Sequence, residues 1–391
     1  MKQASVAIVG GGLSGLYAAL LLEKKGIDYI LLEARPTLGG RIITTRSATD
    51  MPLESPNTDA TTALSADNFD LGPSWFWPDF QQQLGQLIDE LQLESFEQFE
   101  EGDMMVERSA HEPAIRSQGY KSTSPSMRLK GGMAALINAL YNRLDRNKII
   151  TNQPVHQINK TDEYIEVISK DSSGQLTTWQ AGHILLALPP RLAAASIAFT
   201  PALPTDLTIQ WHNTATWMAP HAKYFAVYDT PFWRDTGLSG EARSAIGPLV
   251  EIHDASITEG SGALFGFIGV PVQQRQSISE TVLKEYCREQ LVRLFGAEAG
   301  TPKAEYLKDW AQDPFTATIA DLDVNADSYG QHALAPNARA SSGVWQQCLT
   351  GIGSEWSRQF SGYTAGAIDA ASVAVQNLPE CVSNIESKKY D

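Results

Sequence analysis

The sequence predicts a doubly wound α/β domain with a smaller α+β domain beside it, and three observations carry that expectation. Residues 5–9 form a short, continuous apolar run, the pattern of a strand covered on both faces of a parallel sheet. The run enters Gly10-Gly11-Gly12-Leu13-Ser14-Gly15, which satisfies G-x-G-x-x-G, and an acid, Glu33, closes the next apolar run. The third observation is length, since 391 residues make two or three domains with a substantial core.

Taken in order, the glycine motif leads into a helix over residues 13–25, with Gly26 as its C-terminal cap, and residues 28–32 read as the second strand. Each part of the motif has a physical task. Gly10 makes the turn, Gly12 lets the backbone approach a pyrophosphate, Gly15 lets helix pack on strand, and Glu33 accepts from a ribose hydroxyl. The motif alone is a weak signal; in its strand, helix, strand and acid setting it reads as a dinucleotide site. Lys2 followed by apolar residues 6–22 has the look of a targeting segment. Glycines interrupt it, no small-x-small site precedes Glu23-Lys24-Lys25, and it is short for a membrane span. Residues 46–67, rich in Thr, Ser, Asp, Pro and Ala, read as a long surface loop. Residues 280–295 carry the 3.6-residue period of an amphipathic helix, and 383–391 a polar tail.

Composition excludes several classes. Forty-three per cent hydrophobic residues rule out disorder for most of the chain. A net charge of −15 with no Lys/Arg run argues against nucleic-acid or anionic-membrane partners, which need a positive patch. Cys287, Cys348 and Cys381 lie far apart with no C-x-x-C pair, so neither a zinc site nor a disulfide framework is encoded, and a reducing, cytoplasmic setting is expected. The histidines at 111, 156, 183, 212, 221, 253 and 332 show no metal-binding spacing, and no metal is expected. A nucleophile elbow and a Walker A loop are both missing from the sequence, which leaves hydrolysis and phosphoryl transfer without machinery.

The continuation Glu33-Ala34-Arg35-Pro36-Thr37-Leu38-Gly39-Gly40-Arg41 resembles the extended fingerprint of the flavin-containing monoamine oxidase family, in the FAD-dependent amine oxidase superfamily. That resemblance implies FAD, with Gly40 passing near the diphosphate and Arg41 helping to hold it. Phytoene-desaturase and protoporphyrinogen-oxidase relatives share the fingerprint. Further stretches line up in order. Asp70-Leu71-Gly72-Pro73-Ser74-Trp75 resembles the family turn under the flavin ring, and Leu129-Lys130-Gly131-Gly132-Met133 the glycine turn before a returning helix. Pro154-Val155 resembles the strand whose valine backbone bonds adenine, and Ile184 to Arg191 the buried strand with a Pro-Pro exit. Gly351-Ile352-Gly353-Ser354-Glu355 and Ser361-Gly362-Tyr363 resemble the family block whose helix aims its amides at the flavin N1–C2=O edge. The implied cofactor-binding set is Gly10, Gly12, Ser14, Gly15, Glu33, Ala34, Arg35, Gly40, Arg41, Gly72, Ser74, Val155, Gly353, Ser354, Glu355 and Tyr363. The expected FAD domain comprises 1–75, 129–200 and 343–380, the substrate domain 76–128 and 201–342, and the tail 381–391.

Lys223, followed by Pro231-Phe232-Trp233-Arg234, resembles the family lysine that contacts flavin N5 through water and assists reaction with O2. Otherwise it is a lysine on the exposed face of a strand. Tyr363 matches one ring of the family's aromatic cage, and Trp75 a ring-lining position. The second cage ring falls near Ala320 and the flavin-linked cysteine near Ile319, which implies non-covalent FAD. The cage then has one wall missing or supplied by Trp310, Phe315 or Trp345, with Trp75, Phe76 and Trp77 as further substitutes. The expected reaction is oxidation of an amine by hydride transfer to flavin N5, with O2 as acceptor and imine and hydrogen peroxide as products. Alternatives are dehydrogenation of a C–C bond and a decayed flavoprotein serving as a binding subunit. Residues 76–128 are shorter than the family's helical roof, which implies an open site for a bulky amine, or an oligomer or partner protein that covers it. The acids Glu94, Glu97, Glu100, Glu101 and Asp103 in that segment read as a solvated face.

Overall fold

A computed structural model describes residues 2–46, 49–52, 67–258, 260–322 and 332–379. Most of the 46–67 loop, Cys381 and the tail lie outside the described residues.

The first sheet is built around Lys2–Val9, whose Val6, Ala7 and Ile8 are fully buried, as a doubly covered strand requires. It pairs in parallel with Tyr29–Leu32 on one side and Leu176–Leu186 on the other. Ile149–Ile150 extends the sheet beyond Tyr29–Leu32, and Leu349–Gly351 runs parallel to the end of Leu176–Leu186. On the far side the order continues through Ile165–Lys170, which is antiparallel to both its neighbours, then Val155–Lys160 and Ala198–Thr200, which pair in parallel with each other.

Helices cover both faces, which makes the sheet doubly wound. Leu13–Lys24 ends at Lys25, with Gly26 in the left-handed region at φ +68°, the geometry of a glycine-terminated helix. Its Leu16 and Leu20 pack with Ile368 and Ala371 of Thr364–Gln376 and with Leu136 and Leu140 of Ala134–Tyr141. Leu84, Leu87 and Ile88 of Gln82–Glu90 join that core. The opposite face buries Ile184 and Leu186 under Trp211, Trp345 and Trp356.

The second sheet runs Ala304–Asp309, Ala222–Tyr228, Gly262–Ile268, Leu249–Asp254, Leu238–Ser244, Asp103–Glu107 and Ile115–Gln118. The expected amphipathic helix is Glu280–Phe295. Ser279 caps it by accepting from the Val282 N–H, and Leu283, Cys287, Leu291 and Leu294 form its buried face against this sheet. All seven residues of Ala222–Tyr228 are buried, so Lys223 is not on an exposed strand face. The acidic segment is largely self-neutralised: Glu94 pairs with Lys130, Glu101 with Lys121 and Asp103 with Arg116, while Glu100 accepts from Ser122.

Candidate active site

A cavity of about 640 Å³ runs along the C-terminal end of Lys2–Val9 and reaches the second sheet at Lys223 and Phe267. Its walls draw on residues near 10, near 153, near 223 and near 363, so chain segments far apart in sequence meet around one space. At one end the Gly10 N–H donates to the Leu32 carbonyl at 2.8 Å, and Gly10 sits at φ +111°. Gly12 leaves a concave backbone: a Cβ added there would meet only Gly39 and Gly40 atoms, at 3.8 and 3.9 Å. The Leu13–Lys24 helix starts there with no side-chain cap and no acid in its first turn. Its first amides are therefore free for an anion.

Gly15 does not line the cavity, because its Cα faces inward on the turn; a Cβ there would lie 2.0 Å from the Gly10 oxygen. We expect Gly15→Ala to destabilise the protein by ~1–3 kcal/mol or more by overpacking and to yield protein without flavin colour. Unchanged visible absorbance after purification would show that this turn is not the diphosphate cradle.

Glu33 is buried and accepts from the Gly11 N–H at 2.6 Å and the Arg35 N–H at 2.7 Å. Burial pushes its carboxyl above the ordinary value, against those two N–H groups, which favour the anion. The Gln153 N–H donates to the Glu33 carbonyl at 2.8 Å, which ties the edge strand of Val155 to this end of the cavity. Ala34 and Arg35 line the wall between them. The Arg35 guanidinium pairs with Asp313 at 2.5 Å and lies 5.3 Å from the Phe315 ring centroid.

Midway, Gly39 and Gly40 hold positive φ values of +113° and +60°, and Arg41 follows. Arg41 clamps Glu355 through both carboxylate oxygens, at 2.5 and 2.9 Å, and also donates to the Ser354 hydroxyl and the Trp217 carbonyl. Burial pushes the Glu355 carboxyl up, but the Arg41 charge outweighs it and holds the group below the ordinary carboxylate range. Glu355 stands behind Arg41, outside the cavity wall, whereas Gly353 and Ser354 line it.

At the far end Lys223 Nζ donates to the Gly72 carbonyl at 2.7 Å, the Ser74 hydroxyl at 2.9 Å and the Asp70 carbonyl at 3.2 Å. The turn expected beneath a flavin ring thus holds the lysine. Burial pushes the Lys223 ammonium down to about 7, against the pull of the Asp70 carboxylate. Trp75 lines the wall but packs its ring on His253 and Phe265. Tyr363 stands at the start of Thr364–Gln376 without capping it through its side chain, and meets two rings, Trp77 edge-on at 6.2 Å and His332 stacked at 4.1 Å. His332 stacks in turn on Trp217 at 3.8 Å.

Of the substitute rings, Trp310 bonds the Leu71 carbonyl and Trp345 the Pro201 carbonyl, both away from the cavity, and Phe315 lies under Arg35. Ile319 is exposed, and the Ala320 carbonyl accepts from Arg191; neither lines the cavity among the described residues. Sequence reasoning named Phe315, which lines the wall, but missed Trp217, Met218, His332, Pro314 and Thr316. Trp217 stands six residues before Lys223 and was within reach as a flanking aromatic. His332 carries no local signal, because what defines it is contact with Tyr363 and Trp217 across long loops.

Residues 106–378 match the family model described as flavin containing amine oxidoreductase, and residues 8–91 that of an NAD(P)-binding Rossmann-like domain. The chain belongs to the flavin-containing amine oxidoreductase family. Its relatives include putrescine oxidase from Kocuria rosea, 28% identical over 54% of this chain and 45% of that one. An L-amino acid dehydrogenase from Synechocystis is 27% identical over 66% and 54% of the two chains. The chain thus spans about half the length of these two relatives. Amine oxidase [flavin-containing] B from Sus scrofa is 24% identical over 98% of this chain and 88% of its own. Among solved structures, wild-type putrescine oxidase bound to putrescine has a TM-score of 0.76 at 20% identity, covering 96% and 98% of the chains. Cyclohexylamine oxidase from Brevibacterium oxydans has 0.75 at 18%, covering 98% and 100%.

The family's cofactor is FAD, and the cavity fits it. Two uncapped helix starts, at Gly12 and Tyr363, open on the same elongated space with an open glycine cradle between strand and helix. Gly10, Gly12, Ser14 and Gly40 would hold the diphosphate, Glu33 a ribose, Val155 the adenine end, and Gly72, Ser74 and Tyr363 the ring end. No helix among the described residues is long and apolar enough to cross a membrane.

Proposed function

We propose that the protein oxidises an amine to an imine, with O2 taking up the two electrons as hydrogen peroxide. The observation that carries this reading is Lys223, whose buried Nζ is held on the Gly72–Ser74 turn at the same cavity end as Tyr363. When bound, FAD supplies the hydride acceptor at its N5 and returns the electrons to O2.

The chain's own residues do the rest. Trp75, Trp77, Trp217 and Tyr363 wall the ring end with aromatic surface, which displaces water and favours the neutral amine whose lone pair the reaction needs. The start of Thr364–Gln376 carries no cap and no first-turn acid, so its amides present positive potential where charge accumulates. Lys223 keeps a cation, or a proton donor near neutral pH, beside the place where reduced oxygen species form. The imine leaves the site and is hydrolysed by water.

We propose the division into an FAD domain (1–75, 129–200, 343–380) and a substrate domain (76–128, 201–342) on the grouping of strands into the two sheets, with the correction that Gln82–Glu90 and Trp211 pack in the cores of the first sheet. Buried free thiols at Cys287 and Cys348 support a reducing, cytoplasmic setting.

Anaerobic mixing with a panel of amines tests the reading. Rapid bleaching of the flavin, with colour and stoichiometric peroxide returning on admission of air, is expected. Bleaching only by a reduced carbocycle would replace amine oxidation with C–C dehydrogenation, and no bleaching by any compound would leave a binding subunit.

A further inference from the structure

We infer that Asp313 is a positioning residue for the cofactor: it latches Arg35 and so holds Pro314, Phe315 and Thr316 as a cover over the adenosine half of FAD. The inference goes beyond the amine-oxidising reading. It rests on the fit of the cavity to FAD and holds whichever substrate the ring end takes.

The first observation is where the chain goes after the second sheet. Ala304–Asp309 is an edge strand of that sheet, and the single turn Trp310–Gln312 carries the chain out of it. Residues 314–316 then line the cavity that the first sheet opens. One guanidinium gathers this segment. Arg35 Nη2 donates to Asp313 Oδ1 at 2.5 Å and to Thr316 Oγ1 at 3.3 Å, and its central carbon lies 5.3 Å from the Phe315 ring centroid. Arg35 belongs to the same turn as Glu33, the residue placed at the ribose, so the cover falls on the adenosine half.

The second observation is that both sides of the latch are fixed. The Arg35 N–H donates to Glu33 Oε1 at 2.7 Å, and its carbonyl accepts from the Asn152 N–H at 3.0 Å. Asp313 is buried and also accepts from Lys308 Nζ at 3.0 Å and the Phe315 N–H at 3.1 Å. Burial pushes its carboxyl up, but the Arg35 and Lys308 charges outweigh it and hold the group below the ordinary carboxylate range. The Asp313 carboxylate is therefore a joint between two cations and the start of the covering segment. Without its charge the two cations repel and the Phe315 turn loses its acceptor.

The third observation is unspent apolar surface. Phe315 lines the cavity yet stays 38% exposed, so packing within the protein does not use up its ring. Aromatic surface of this kind stacks on a base. The ligand chemistry that the cover recognises is a purine nucleoside diphosphate, and the flavin ring contributes nothing to it.

The test uses the full-length protein freed of flavin and measures dissociation constants by titration calorimetry for FAD and for ADP, which carries the adenosine diphosphate half alone. Phe315→Ala keeps the ion pair and is expected to weaken FAD and ADP alike, by at least about fivefold. Asp313→Asn is expected to weaken both by about tenfold or more, and Asp313→Glu, which keeps the charge, to recover part of that loss. Should Asp313→Asn not fold, Phe315→Ala decides the matter alone. Unchanged constants, loss of FAD affinity without loss of ADP affinity, an Asp313→Glu no better than Asp313→Asn, or a wild type that binds FAD but not ADP overturns the inference while FAD binding stands. A wild type that binds neither overturns the fit to FAD as well.

Discussion

Replacing Lys223 by Met is expected to slow the reaction of the reduced enzyme with O2 on the order of 100-fold, while reduction by amine changes only a fewfold. The cation acts on charge that develops only in the oxidative half-reaction, so the two halves separate in sequential-mixing stopped flow. The stability of the variant has its own signature. Lys223 is pushed from 10.5 to about 7 by burial, so the folded protein binds fewer protons than the unfolded chain between those values. Wild-type stability therefore gains with rising pH across that window, and Lys223→Met, lacking the group, does not share the gain. The variant's advantage or deficit in melting temperature is expected to move in favour of wild type from pH 7 toward 10. Normal O2 reactivity in the variant would remove the oxidative role, and parallel pH profiles would show that Lys223 is not desolvated.

Arg41→Ala is expected to produce the largest loss of stability, about 3–5 kcal/mol, because it strands a buried carboxylate. Glu355 is 1% exposed, and its two oxygens face the Arg41 guanidinium at 2.5 and 2.9 Å. In wild type its folded pKa lies below the ordinary carboxylate value, so the pair contributes stability above that value and loses it as pH falls through the folded one. In the variant only the Ser354 hydroxyl, at 3.0 Å, and the local backbone N–H still oppose burial, and the shift is expected to reverse sign. The penalty is then greatest near neutral pH and shrinks as acid protonates Glu355. Denaturant unfolding at about pH 7 and about pH 5 reads this directly: the gap between the proteins should narrow at the lower pH. A gap that is constant, or below about 1 kcal/mol, would mean that the pair behaves as a solvated surface bridge. The same variant frees the Trp217 carbonyl, so it should also loosen the ring end of the cavity.

The parts of the molecule legible in sequence are those whose chemistry is local. The strand of Val6–Ile8, the helix after Gly12, Glu33 at the next strand end and the helix Glu280–Phe295 each follow from periodicity, glycine placement or capping within a short window. The lysine on Ala222–Tyr228 and the Gly72–Ser74 turn were legible as separate motifs, and their meeting across about 150 residues is a product of the fold. What sequence did not show were residues defined wholly by long-range contact. Asp313 matters because it meets Arg35, 278 positions away, and His332 because Trp217 and Tyr363 close on it. Residue type alone points to Trp310, Phe315 and Trp345 for a second cage wall. Trp310 and Trp345 are held instead by backbone carbonyls elsewhere, since a buried indole N–H must find an acceptor. A histidine occupies the stacked position, and no periodic pattern marks a lone histidine in a loop.

A crystal structure of the protein with FAD bound tests the central claim most directly. The expected result is a diphosphate on the Gly10–Gly15 turn, adenine beside Val155, and the flavin ring within about 4 Å contact distance of the Gly72–Ser74 turn, with Lys223 and Tyr363 at that end. A flavin bound with its ring at the Val155 end, or lying outside this cavity, would contradict it.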